Sequence, residues 1–325
     1  MINKYSKIVN NFISSSTTRF LDYKLNEFSA LRARKQAPYF VGRTWMMDKI
    51  KAWLDGQQMS VMMVTGDAGV GKSALVIELW DSALERLGAF PLALHVCSLD
   101  DRSSIDVANF VRNVAAMCGA HLPGYKNLLQ RTPALLKLLD QRNCELDPRS
   151  AFLDAVLKPI EKIWSAREDS QTSLPAPPWC LLADSMDESQ PLHNRSDGMS
   201  VAQLLSHPDV LAHLRQSRCL RLFVTSRRDT GMIQQFEASA GLIERLDAHG
   251  NEGRNDVRKF ALRRIREEPL LSRLAARDFK ELRAASTAAN ANIWAADAVA
   301  TVADGNFMVA VQLLNSARDD APFFR

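Results

Sequence analysis

Eight consecutive residues, Gly66-Asp67-Ala68-Gly69-Val70-Gly71-Lys72-Ser73, constrain this chain more than any other stretch. They fit G-x-x-x-x-G-K-[ST] throughout, and they lie between an apolar run, Val61–Thr65, and an amphipathic stretch opening at Ala74. Glycine lets the backbone curl until successive N–H groups face a common centre, where they cradle phosphate oxygens. The N-terminus of the helix that follows adds its partial positive charge at the same point. Lys72 is placed to reach the β- and γ-phosphates of a nucleoside triphosphate, and the Ser73 hydroxyl to ligate Mg²⁺. Gly66 to Ala74 are therefore the expected nucleotide contacts.

The rest of the chain repeats the strand-then-helix alternation. Apolar runs at Val61–Thr65, Leu92–Cys97, Trp179–Asp184, Leu220–Thr225 and Leu242–Leu246 read as strands. Leu75–Leu87, stopped by Gly88, and Ile105–Cys118 read as helices between them. This pattern predicts an α/β fold, a P-loop NTPase with a mainly parallel five-stranded sheet flanked by helices. Between His121 and Pro178 the pattern predicts two helical segments and a stiff loop at Ser170–Pro178. Beyond Leu246 it predicts three helices, Asn255–Ile265, Leu270–Leu282 and Ala296–Ser316, forming a small helical domain. The expected division is a basic arm over 1–36, the NTPase domain over 37–247, and a helical lid over 248–325 that is expected to be truncated.

Two further strand ends carry chemistry. Leu181-Leu182-Ala183-Asp184 continues into Ser185-Met186-Asp187-Glu188. Asp184 is placed to hold Mg²⁺, and Glu188, with Asp187 second, to orient or deprotonate an attacking water. Three carboxylates in five residues repel one another unless a cation sits among them. The fourth run ends Thr225-Ser226-Arg227-Arg228. Thr225 or Ser226 suits a γ-phosphate sensor, and Arg227 a group that stabilises charge developing in phosphoryl transfer.

Together these residues resemble the NACHT-type members of the signal-transducing STAND NTPases, relatives of the AAA+ and AP-ATPase proteins. Phe40-Val41-Gly42-Arg43 is similar to the group's lead-in, and the phosphate loop follows about twenty-four residues later. Asp184-Ser185-Met186-Asp187-Glu188 resembles its Asp-small-apolar-Asp-Glu strand end, and Val224-Thr225-Ser226-Arg227 its apolar-Thr-Ser-Arg sensor. His121-Leu122-Pro123-Gly124-Tyr125 and Gly305-Asn306-Phe307 are weaker echoes of the group's Leu-Pro-x-Tyr and Gly-x-Phe. The resemblance implies that Val41, Gly42 and Arg43 pack near the adenine. It also implies an ATPase, slow in turnover, that couples nucleotide state to oligomerisation or signalling through protein partners and self-association. Thr44 departs from the group's usual Glu, and no histidine follows His249 to reach the β-phosphate.

Alternatives remain open at this level. One is a nucleotide-binding interaction scaffold without significant turnover. Another is a nucleic-acid-dependent AAA+ ATPase, against which Ser185 and Met186 intervene where Asp and Glu would be adjacent. Absence of an Asn-Lys-x-Asp or Thr-Lys-x-Asp signature after the fourth run favours ATP over GTP. The charge of +4 does not point to nucleic acid, because residues 1–36 carry +5 and the remainder −1. Arg254, Arg258, Lys259, Arg263, Arg264 and Arg266 share one helix with acids mixed in, which reads as a solvated face. No run approaches a membrane span. Five isolated cysteines and no secretory leader suggest a cytoplasmic protein without structural zinc.

Overall fold

The computed structural model describes residues 41–56, 59–168, 178–189, 198–228, 231–237, 243–248, 250–279 and 288–319. The basic arm, Phe40, His249 and the chain's last residues lie outside them, as does most of the proline-bearing loop before the third strand. The five apolar runs form five strands: β1 (Val61–Thr65), β2 (Phe90–Val96), β3 (Trp179–Asp184), β4 (Leu220–Ser226) and β5 (Ile243–Asp247). All pair in parallel in one sheet of order β2-β3-β4-β1-β5. The fold is thus α/β with an all-parallel sheet flanked by helices.

Strand period two sorts the side chains. Val61 and Met63 join Leu181, Ala183, Leu222 and Val224 in the core on one face, and Met62 and Val64 join Cys180, Leu182 and Phe223 on the other. The second face is covered by α1 (Thr44–Asp55), through Met46, Ile50 and Trp53, and α2 (Lys72–Leu87), through Leu75, Val76 and Leu79. Gly88 ends α2 in the left-handed conformation at φ 66°, as its position in the sequence predicts. The first face is covered by α3 (Val107–His121), whose start is fixed by Asp106 accepting from Asn109 N at 2.8 Å, and by the helices that follow it.

Those helices differ from the two segments expected before Pro178. The chain forms α4 (Tyr125–Arg131), α5 (Pro133–Leu138), α6 (Gln141–Leu146), α7 (Pro148–Phe152), a π-turn over Leu153–Leu157, and α8 (Lys158–Glu168). Pro133 and Pro148 each open a helix at its first position, where the missing N–H costs nothing, so periodicity alone blurs the boundaries. The π-turn has a chemical cause. Pro159 cannot donate to the carbonyl four residues back, Ala155 O, and the local ladder widens so that Lys158 N bonds Leu153 O. The fully buried Tyr125 hydroxyl on α4 donates to Ala155 O at 2.6 Å and satisfies it from outside the helix.

Between β3 and β4 lie α9 (Val201–Leu205) and α10 (Pro208–Gln216), and between β4 and β5 lies α11 (Gly231–Glu237). Among the described residues four helices follow: α12 (Asn251–Glu267), α13 (Pro269–Asp278), α14 (Ala288–Ala303) and α15 (Phe307–Asp319). They enclose a core of their own around Val257, Phe260, Leu271, Ala295, Val299 and Leu314. Here the single helix expected over Ala296–Ser316 is corrected to two. Asp304 (φ 45°) and Gly305 (φ 85°) both leave the right-handed region, and Asn306 restarts the chain as a cap, accepting from Met308 N and Val309 N at 3.0 and 3.2 Å. Four of the arginines of α12 are paired. Arg254 meets Asp304, Arg258 meets Asp297, Arg263 meets Glu267 and Arg264 meets Glu268. Among the described residues no helix is long and apolar enough to cross a membrane.

Tyr125→Phe keeps the ring and strands Ala155 O, so urea unfolding should show a loss of about 1–3 kcal/mol. Pro159→Ala in the same background should recover part of it, because Ala supplies the missing N–H.

Candidate functional site

Parallel pairing sets the geometry of the carboxyl edge. Thr65 at the end of β1 is level with Ser226 on β4 and Asp247 on β5, while Ala183 is level with Val224 and Val96 with Asp184. The phosphate loop, the acidic turn and the Thr-Ser-Arg segment therefore leave the sheet side by side, with β4 between the other two.

The loop after β1 is shaped by its glycines. Gly69 (φ 84°) and Gly71 (φ 86°) both lie in the left-handed region, and α2 starts at Lys72. Lys72 Nζ donates to Gly66 O at 2.7 Å and Asp67 O at 3.0 Å. Burial lowers its pKa, opposed by the charges of Asp187 and Asp184. Ser73 and Ala74 continue the first turn of α2, half-buried, and Val70 is fully buried beneath the loop.

Asp184 is 1% exposed. It accepts from Thr225 Oγ1 at 2.6 Å, and Thr225 Oγ1 in turn accepts from Ser185 N at 2.9 Å. The Thr225 hydroxyl thus lies against Asp184 and orients its carboxylate. Ser185 takes a left-handed turn (φ 58°) that redirects the chain into a short 3₁₀ helix, Met186–Ser189. This displaces Asp187 and Glu188 toward β4 and β2. Asp187 accepts from Arg227 N at 3.1 Å and pairs with Arg227 Nε at 3.1 Å; Glu188 lies 4.0 Å from Arg227 Nη2 and accepts from Leu99 N at 3.0 Å. Arg227 is the cation among these carboxylates.

Sequence reasoning missed Leu99 and the turn that carries it. That turn, between β2 and α3, is closed by Ser104, whose carbonyl lies 2.7 Å from His95 Nε2. His95 is 5% exposed on β2, edge-on to Phe110, and burial pushes its imidazole down to about 4. Neutral His95 donates to Ser104 O, and the same turn presents Leu99 N to Glu188.

The lead-in packs behind the phosphate loop. Val41 is half-buried, and a side chain on Gly42 (φ 85°) would meet Asp256 Oδ1 at 2.4 Å. Arg43, 4% exposed, bonds Val70 O through Nη2 and stands 5.0 Å from the Phe307 ring centroid. Burial lowers its pKa to about 10, with Asp256 opposing. Asp256, itself buried, accepts from Trp45 Nε1 at 2.8 Å. Trp45, Asp256 and Phe307 were not singled out as site residues; Trp45 and Asp256 are 211 positions apart, and no local pattern announces their contact.

The donor set suits Mg²⁺ better than a softer metal: one hydroxyl, Ser73, and one oriented carboxylate, Asp184, with phosphate oxygens to complete the shell. Among the described residues no three His, Cys, Asp or Glu side chains gather as a self-sufficient metal site. All five cysteines are buried and free of disulfides.

His95 gives a pH dependence with a defined sign. Unfolded, the imidazole takes a proton near its usual 6.5; folded, it does so only near 4. Between these values the unfolded state binds more protons, so stability falls as pH drops through the window, by up to about 3 kcal/mol. His95→Gln, which can still donate to Ser104 O, should flatten this part of the profile in urea titrations at pH 7 and pH 4.5.

Among solved structures the chain is similar to a chain in "Structure of Drosophila ORC bound to DNA", at 14% identity over 96% of this chain and 72% of that one, with a TM-score of 0.37. That likeness carries no weight for fold or function. The family described as nephrocystin 3, N-terminal, matches residues 43–227, from the buried lead-in arginine to the arginine between the two carboxylates. That span exceeds half of the 325 residues, and the chain belongs to the nephrocystin 3 N-terminal family.

Proposed function

We propose that the chain is a Mg²⁺–ATP-binding, slowly hydrolysing molecular switch of the STAND/NACHT type, coupling nucleotide state to self-association or signalling through protein partners. The observation that carries this reading is the placement of Lys72, at the start of the helix after β1, and Asp184, at the end of β3, on one carboxyl edge of the parallel sheet with β4 between them. Few other uses exist for a glycine-curled loop, a lysine at a helix N-terminus and a buried, oriented acid one strand away.

Roles follow from position. Gly66 to Ala74 cradle the phosphates, with Lys72 on the β- and γ-groups. Ser73 and Asp184 hold Mg²⁺, which when bound neutralises phosphate charge during transfer. Thr225 keeps Asp184 aimed at the metal. Glu188 orients or deprotonates the attacking water, and Asp187 holds Arg227 where it can stabilise charge on the transferred group. Val41, Gly42 and Arg43 back the base-side wall.

A scaffold that binds nucleotide without turning it over is supported by one observation: both candidate base carboxylates are already engaged, Asp187 by Arg227 and Glu188 by Leu99 N. A base that must first break a hydrogen bond turns over slowly or not at all. The nucleic-acid reading lacks such support, since four of the α12 arginines are neutralised by nearby acids.

The test is equilibrium titration with Mg²⁺–ATP together with phosphate release, with light scattering alongside to read assembly. Lys72→Ala should weaken binding at least about tenfold. Glu188→Gln should leave binding intact and slow phosphate release about a hundredfold or more. No binding by the unaltered chain would refute the switch and the scaffold together; binding with release unchanged by Glu188→Gln would leave the scaffold.

A further inference from the structure

Three successive carbonyls of the phosphate loop are each held by a donor from outside it. Asn306 Nδ2 donates to Ala68 O at 2.8 Å, Met308 N donates to Gly69 O at 3.2 Å, and Arg43 Nη2 donates to Val70 O. Two of these donors belong to the first residues of α15 and its cap; the third belongs to the residue that precedes α1. In a planar trans peptide, C=O and the next N–H point in opposite directions. Fixing the oxygens of 68, 69 and 70 on the outer side therefore aims the amide hydrogens of Gly69, Val70 and Gly71 toward the inner side. Val70 N makes a long bond of 3.4 Å to Asp67 O.

The orientation of the Asn306 amide is fixed by both of its ends. Its Oδ1 accepts from Met308 N and Val309 N, so its Nδ2 is the atom left to face Ala68 O. The approach is close enough to restrict the loop's composition. A side chain on Gly69 would meet Asn306 Oδ1 at 2.3 Å and Met308 Cβ at 2.9 Å, and one on Gly71 would meet Arg43 Nη2 at 3.0 Å. Phe307, between the two α15 donors, faces the Arg43 guanidinium, so the lid and the lead-in brace each other as well as the loop.

We infer that Asn306 is a positioning residue for phosphate binding: it and Met308 N, with Arg43, hold the loop's carbonyls outward so that its amides are preset for an anionic ligand. The inference rests on the reading of the site as a nucleotide site. It also implies reciprocity: a lid that presets the loop for phosphate is in turn held down by phosphate. The break at Asp304-Gly305, which separates α14 from α15, is what delivers Asn306 to the loop.

The test exploits the two ends of the amide. Asn306→Asp keeps acceptors for Met308 N and Val309 N, and so keeps the cap, but removes the donor to Ala68 O. In the full chain, Asn306→Asp should raise the dissociation constant for Mg²⁺–ATP about five- to tenfold while the urea midpoint and the saturated rate of phosphate release stay near those of the unaltered protein. Asn306→Ser, also a good cap without the amide donor, should do the same and serves if the aspartate variant does not fold. In the unaltered protein, Mg²⁺–ATP should slow hydrogen exchange at Met308 N, a readout that needs no variant. Affinities of both variants within about twofold of the unaltered protein would overturn the inference. So would an exchange rate at Met308 N that ignores nucleotide. If the unaltered chain binds no Mg²⁺–ATP, the proposed function falls and this inference with it. If it binds, Lys72→Ala does not, and the Asn306 variants bind normally, only this inference falls.

Discussion

Parallel strand pairing is the constraint on which the rest of the molecule depends. It sends the carboxyl ends of all five strands to one edge and leaves every connecting helix to return across a face. The loops after β1, β3 and β4 therefore emerge together, although the first lies more than a hundred residues before the other two. Each brings a polar group to a place where the sheet itself supplies none. The strand that separates the phosphate loop from the acidic turn is also the one that ends in Thr225, so the spacing of the site and the orientation of Asp184 are set by the same element.

Charge at that edge is arranged rather than accumulated. Burying a carboxylate as deeply as Asp184 demands hydrogen-bonding partners, and Thr225 is one of them. The neighbouring pair, Asp187 and Glu188, is set apart from Asp184 by the left-handed turn at Ser185 and bridged by Arg227. Glu188 is further tied to Leu99 N, which belongs to a turn fastened at its far end by neutral His95. Alteration of the β2–α3 turn is thereby felt at a carboxylate 89 positions away.

Much of this was legible in the sequence, and the limits have physical reasons. All five strands were readable because buried parallel strands are short apolar runs bounded by turn residues, and the phosphate loop because its backbone requirements fall on particular residue types. The acidic turn and the Thr-Ser-Arg segment were visible as polar residues at strand ends. What Thr225 does there was not, since a hydroxyl beside a carboxylate and one facing a phosphate have the same sequence. Nor were the contacts of Asp256, Trp45, Phe307 and Leu99, each made across a long separation with no local pattern to announce it. The split between α14 and α15 was written locally, in Asp304-Gly305-Asn306, but apolar residues on either side kept a helical period across it. Pro133 and Pro148 began helices where an expectation of fewer, longer segments absorbed them.

The bond from Tyr125 to Ala155 O has a consequence for how the region between α3 and β3 can change. A proline inside a helix ordinarily forces a choice between a kink and an unsatisfied carbonyl. Here the choice is avoided by a hydroxyl from a helix thirty positions earlier in the chain. Docking of α4 and repair of the α7–α8 segment are consequently one event, and the stretch from Tyr125 to Glu168 forms a single cassette. Shortening it from the front would reopen a defect at the rear.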